Sequence, residues 1–174
     1  NDSSGDLPGD IDIMVRRSSD LGRSWSPAQR VVDFDGGYGA GDASLLADDA
    51  TGRVFLFYGY GPPGVGLFQS NADRDPASVR TTHPHVMWSD NGGRSWQGPR
   101  NLIADIKPEG ARGLFATSGH GIQLSQHSPA PGRLLQPCAW LDGDNAMHAG
   151  NAWSDDHGAT WQMGASIGTG LDEN

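Results

Sequence analysis

The chain has 174 residues, with 12 Lys or Arg against 21 Asp or Glu and a net charge of −9 when histidine is neutral. No run of basic residues is long enough to track a phosphate backbone, so nucleic acid is not an expected partner. No apolar run reaches the ~18 residues of a membrane helix, and no signal peptide stands at Asn1, although a chain opening inside a repeat could not display one.

In chain order, residues 1–9 (NDSSGDLPG) read as a loop, and residues 10–17 (DIDIMVRR) alternate, with Ile11, Ile13 and Val15 on one face of a strand. Residues 18–25 (SSDLGRSW) then open a motif that returns at 89–96 (SDNGGRSW) and 154–161 (SDDHGATW), all fitting S-x-[DN]-x-G-x-[ST]-W. Each copy sits between strand-like runs and predicts a hairpin turn. The Asp or Asn accepts backbone N–H groups, Gly supplies a positive φ, and the closing Trp offers a large surface to pack beneath the turn. The copies start about 71 and 65 residues apart, which suggests one multi-stranded unit per copy, as in a propeller blade.

After the first copy, residues 28–32 form a strand and the glycine-rich DGGYGAGD leads to Asp42, which opens the next strand through Ser44, Leu45 and Leu46. A turn at 48–52 leads into 53–58 (RVFLFY), an apolar run of the kind buried on both faces. Residues 59–78 read as a long loop over a functional face, and 81–88 as the strand before the second motif. His83 and His85 could in principle share a metal, but nothing nearby completes a ligand set, and strand histidines are the preferred reading. Residues 115–124 and 133–141 predict another inner hairpin, turning at 129–132. The single cysteine, Cys138, lies in that apolar run and reads as a small buried hydrophobe. The gathered expectation is an all-β single domain of about three blades. Residues 1–35 form an outer half-blade, 36–105 a second blade, 106–168 a third, and 169–174 the first strand of a fourth. A closed ring at this repeat length needs about twice as many residues, so the chain reads as a piece.

The repeated motif resembles the Asp box of the bacterial-type sialidases, a family of six-bladed β-propellers in which the box is structural and faces away from substrate. The likeness extends along the chain. D-L-P-G resembles the family's first-blade loop and puts Asp6 at the acid/base aspartate, with Asp2 and Asp10 as rivals in the same loop. G-D-A-S-L-L-A-D resembles G-D-P-S-L-L-x-D, with Ala43 in place of Pro, and implies that Asp42 lines the substrate cavity; a strand-opening loop cap is its structural alternative. G-x-G-I-Q-L makes Phe115 a pocket aromatic or a core residue. The ending G-L-D-E-N matches Glu173 to the glutamate that activates a tyrosine nucleophile, with Asp172 as rival.

What the resemblance implies is retaining hydrolysis of terminal sialic acid from glycoconjugates, with no cofactor and no metal ligand assigned, in a secreted or extracellular setting. The family's three carboxylate-binding arginines and its tyrosine fall outside these residues, so the isolated piece is expected to be inactive. A non-catalytic glycan-binding or interaction propeller, and an Asp-box glycosidase acting on another polysaccharide, are the alternatives.

Overall fold

The computed structural model describes residues 5–171. Its strands form three sheets in succession, antiparallel but for one short parallel pair in the second. The first pairs β1 (Ile13–Val15) with β2 (Gln29–Val32). The second runs in chain order through β3 (Gly39–Asp48), β4 (Arg53–Gly61), β5 (His83–Ser89) and β6 (Gln97–Asn101), followed by a single helical turn, α1 (Ile103–Ile106). The third has β7 (Leu114–Ala116), β10 (Leu134–Leu141), β11 (Met147–Ser154) and β12 (Gln162–Met163) as its path. Beside them, β9 (Ile122–Gln123) pairs with β10, and β13 (Gly168–Thr169) with β11.

The core lies between neighbouring sheets. Successive residues of β4 point to opposite faces: Leu56 and Tyr58 meet Ile13 and Val32 of the first sheet, while Phe55 and Phe57 join Leu134, Cys138 and Trp161 of the third. That two-sided burial is why residues 53–58 read as one continuous apolar run. Cys138 is buried in the second of these interfaces, and burial pushes its thiol up to about 12, which leaves it inert as a nucleophile.

All three boxes turn hairpins, β1–β2, β5–β6 and β11–β12. Their wiring repeats. In the third, the Ser154 hydroxyl donates to Asp156 Oδ1 (2.8 Å) and accepts from the Gly158 amide (2.9 Å), and Asp156 accepts from the Thr160 amide (2.8 Å) and hydroxyl (2.6 Å). Ser18 and Asp20 do the same with Gly22 and Ser24, and the Ser24 hydroxyl and amide hold Asp20 down to about 2. Two consecutive positions are left-handed in each box: Leu21 and Gly22, Gly92 and Gly93, His157 and Gly158. His157 is held in that conformation by Asp48, a buried carboxylate of the second sheet at 2.9 Å. Burial works to raise the Asp48 pKa, but hydrogen bonds from Thr51, Ala50, Gln123 and His157 outweigh it and hold the group below the usual carboxylate range.

Four expectations need correction. Residues 115–124 are not one strand: β7 ends at Ala116, and β8 (Gly119–His120) crosses to pair in parallel with β3, at Ser44 and Leu45. The chain can cross there because Gly121 passes so close to the second sheet that a Cβ would lie 2.6 Å from Leu46 Cδ1. Asp42 does not open a strand; it sits inside β3 with φ 54°, at a register slip between Gly41 and Ser44. The closing tryptophans do not pack beneath their own turns alone. Trp161 is buried against Phe55 and Phe57 of the preceding sheet and Trp96 lies partly buried against the first, whereas Trp25 is 59% exposed, because no sheet among the described residues precedes β1. Finally, Gly168–Thr169 hydrogen-bonds back to β11 of the third sheet; residues 172–174, which carry the rest of the expected fourth unit, lie outside the described residues.

The two strand histidines lie inside the second sheet. His85 stacks on Tyr60 (4.9 Å) and its Nδ1 is 3.3 Å from the Tyr58 hydroxyl, while His83 meets the Ser78 carbonyl at 2.7 Å and Asn101 at 2.9 Å. Burial, with His83 as a smaller influence, pulls His85 down to about 4. A histidine with an ordinary pKa of ~6.5 when unfolded takes its proton first in the unfolded state. Stability should therefore fall as the pH drops from about 6.5 towards 4, and level off below that for this group. Denaturant midpoints of the protein as encoded in full, measured at pH 6.5 and 5, should show this loss, and it should shrink in His85→Phe, which keeps a ring against Tyr60. An unchanged slope would place the acid sensitivity elsewhere.

Candidate functional site

The loop before β1 and the strands of the second and third sheets meet at a common cleft with a volume of about 310 Å³. Three of the four residues singled out in the sequence line it together: Asp6 from the first loop, Asp42 from β3 and Phe115 from β7. The fourth, Glu173, lies outside the described residues, as do the rivals Asp2 and Asp172. Asp10 does not line the cleft.

Asp6 heads a tight turn in which its carbonyl accepts the Gly9 amide at 2.8 Å and its own Oδ1 accepts the Leu7 amide at 2.7 Å. The carboxylate remains exposed to the cleft. Asp42 reaches the cleft through its left-handed backbone, which re-aims a side chain that regular β3 pleating would send elsewhere. Gly59 lies beside it on β4, where a Cβ would meet Asp42 Oδ2 at an ordinary contact distance of 3.9 Å. The Ser118 hydroxyl lies 3.5 Å from Asp42 Oδ1. Phe115 is 7% exposed and belongs to neither core cluster, whereas its neighbours Leu114 and Ala116 do; its ring is therefore part of the cleft wall.

Leu7 and Pro8 of the D-L-P-G loop and Gly59 of β4 also line it, and the remaining wall residues were not singled out individually, although 59–78 reads as a loop over a functional face. Leu67, Phe68 and Gln69 come from the long loop, Thr82 from just before β5 and Met147 from the start of β11. The loop is firmly tied. Ser70 donates amide and hydroxyl to the Gly66 carbonyl and accepts the Thr82 amide at 2.9 Å. Arg112 donates to the carbonyls of Ser70 (3.1 Å) and Phe68 (3.0 Å) and to the Asn145 side chain. Lys107, 1% exposed, points its ammonium at the carbonyls of Asn71 and Asp73 and the hydroxyl of Thr81, each at 2.8 Å, and burial brings it down to about 8. Sequence reading missed both cations because their partners are carbonyls some thirty to forty residues away, which leave no mark in local pattern.

The cleft thus offers two carboxylates, two aromatic side chains, Phe68 and Phe115, and no Lys or Arg among the described residues. Such a site can donate and accept protons and can hold the apolar face of a small ring. Among those residues no cluster of three or more His, Cys, Asp or Glu could hold a metal, and no helix is long and apolar enough to cross a membrane.

Known proteins resemble this chain along nearly its whole length. Residues 3–172 match the BNR repeat-like domain. A sialidase of Micromonospora viridifaciens is 40% identical over 173 residues, covering 97% of this chain and 26% of that protein. A sialidase of Bacteroides fragilis is 27% identical over 170 residues, covering 92% and 30%. Among solved structures, the Hadza microbial sialidase Hz136 superposes with a TM-score of 0.85 at 30% identity, covering 97% of this chain and 34% of that one. The chain spans roughly a quarter to a third of the length of these relatives.

Proposed function

The chain belongs to the BNR repeat-like domain family, and on that premise we propose that it forms part of the catalytic domain of an exo-α-sialidase. The reaction is hydrolysis of terminal sialic acid from glycoproteins, glycolipids or oligosaccharides with retention of configuration. The observation that carries this reading is the convergence of Asp6, Asp42 and Phe115, from the first loop, the second sheet and the third sheet, on one cleft of monosaccharide size. An outermost sugar is met outside the cell or in an equivalent compartment, which favours a secreted protein.

In this reading Asp6 protonates the departing glycosidic oxygen as its bond to the anomeric carbon breaks, and later takes a proton from the water that releases the sugar. Its position suits both tasks, since the carboxylate is open to the cleft while the Leu7 amide fixes one oxygen. Glu173 is assigned the proton of a tyrosine nucleophile, whose ordinary pKa near 10 makes it sluggish until a carboxylate takes that proton during attack. A tyrosine nucleophile is a departure from the two-carboxylate scheme of most glycosidases. Asp42 borders the bound sugar and Phe115 walls it. Sialic acid is an anion, and Asp6 and Asp42 alone would repel it, so the three arginines that the resemblance places outside these residues are needed for binding.

The protein as encoded in full should cleave a sialoside and release the α-anomer first, as seen by proton NMR within the first minutes before mutarotation. Release of the β-anomer first would contradict retention, and absence of turnover at intact fold would favour the non-catalytic glycan-binding alternative.

A further inference from the structure

We propose that Leu7 is a positioning residue for Asp6, and that its side chain works by seating against glycines of β3 and β4, while Gly66 of the loop after them makes room for the Leu7 backbone carbonyl. The proposal rests on the reading of Asp6 as the acid. Leu7 belongs to neither core cluster, yet glycines surround it. A Cβ at Gly39 or at Gly61 would lie 2.9 Å from Leu7 Cδ2, at Gly41 3.2 Å from Cγ, at Gly59 3.4 Å from Cδ1, and at Gly66 2.7 Å from the Leu7 carbonyl oxygen. Four of these form two cross-strand pairs, Gly39 with Gly61 and Gly41 with Gly59.

None of the five has a backbone that requires glycine, for none lies at the positive φ that side chains avoid. Glycine in paired strands gives up side-chain packing and costs conformational entropy. At Gly41 and Gly61 it leaves room for the Leu7 side chain, and at Gly39 for both that side chain and the Gly9 carbonyl, whose oxygen a Cβ would meet at 2.1 Å. The link to chemistry is direct: the Leu7 amide donates to Asp6 Oδ1 at 2.7 Å, and a Cβ on Gly41 would stand 3.5 Å from that same oxygen. When the leucine is seated, the amide is fixed over the second sheet and the carboxylate is fixed with it. When it is not, the turn from Asp6 to Gly9 keeps its own hydrogen bond but loses its anchor.

The test compares two substrates in the protein as encoded in full: a sialyl disaccharide, whose leaving alkoxide needs a proton, and an activated aryl sialoside, whose leaving group does not. Leu7→Ala, which empties that seat, and Gly61→Ala, which crowds it, should each lower kcat/KM on the disaccharide by about tenfold or more. The aryl substrate should lose less than about threefold, since acid help is worth about 10²–10⁴-fold when complete and misplacement forfeits part of it. Leu7→Met, which refills the space, should recover most of the loss. The ratio of the two activities is independent of how much of a preparation is folded, so mere destabilisation would lower both alike. Equal losses, or none, would overturn the role of Leu7 provided Asp6→Ala in the same assay shows the selective loss. If Asp6→Ala itself shows no selectivity, the reading of Asp6 as the acid fails instead, and the role of Leu7 fails with it.

Discussion

Replacing Trp161 with alanine should destabilise the protein as encoded in full by about 3–5 kcal/mol, the range for emptying a buried large aromatic site. Trp161 is 2% exposed and meets Phe55 and Phe57 edge-on, with ring centroids 5.8 and 5.0 Å away. Those rings belong to β4, so the indole joins the second sheet to the third rather than packing inside its own hairpin. The site cannot collapse easily. Gly158 of the same box approaches Phe55 so closely that a Cβ would lie 2.3 Å from its ring, and Phe55 is itself held by the first β4 register pairs. The Trp161 Nε1 has no hydrogen-bond partner, so Trp161→Phe, which removes that orphan while keeping an aromatic edge, should cost clearly less than alanine. Substrate affinity of the folded protein should be nearly unaffected. The strand that leads to this box, β11, starts at Met147 in the cleft and ends at Ser154, roughly 25 Å away for eight extended residues. Chemical denaturation and KM measured on one preparation check both halves, and a normal midpoint with a raised KM would move the box from scaffold to site.

The boxes were legible because their logic is local. Ser, Asp or Asn, Gly, and Ser or Thr close hydrogen bonds within eight residues, so spacing alone reveals the turn, and the alternation or continuity of the flanking runs reveals whether a strand is buried on one face or two. The family likeness drawn from the same residues is borne out by the match to the BNR repeat-like domain and the sialidase relatives. What stayed hidden depends on partners distant in sequence. Nothing in S-x-D-x-G-x-T-W tells that its Trp needs the preceding sheet, so Trp25 and Trp161 look alike on paper and differ in burial. The break in residues 115–124 comes from the parallel pairing of β8 with β3 across two sheets, and the left-handed twist at Asp42 from a register slip against Gly59. Nothing in the glycine-rich DGGYGAGD tells that Gly39 and Gly41 are strand residues lying against Leu7. Resemblance assigned Asp6, Asp42 and Phe115 to one substrate pocket, and the fold brings the three to a common cleft.

Asp6→Ala should separate substrates by their leaving groups more sharply than any other change in this chain. A glycosidic oxygen on an alkyl sugar departs as an alkoxide of very high pKa unless it is protonated as the bond breaks, whereas an activated aryl oxide leaves without help. General acid assistance is typically worth about 10²–10⁴-fold, and that whole range should be lost on a sialyl disaccharide while an activated aryl sialoside loses far less in its first step. The second step also uses the carboxylate, now as base on water, so the covalent intermediate should persist in the variant and appear as a burst of aryl product followed by slow turnover. An added small anionic nucleophile such as azide needs no base, and should raise the slow rate. The fold should survive, because the carboxylate is exposed and its bond to the Leu7 amide is local, while the Asp6 carbonyl that closes the turn on Gly9 is kept by alanine. Neither Asp42, held within β3 at its register slip, nor Asp10, which lies away from the cleft, is placed on the Asp6 turn to take over the proton. Equal losses on both substrates, with no burst and no response to azide, would show that Asp6 does not handle the proton. The acid would then be sought at Asp2 of the same loop.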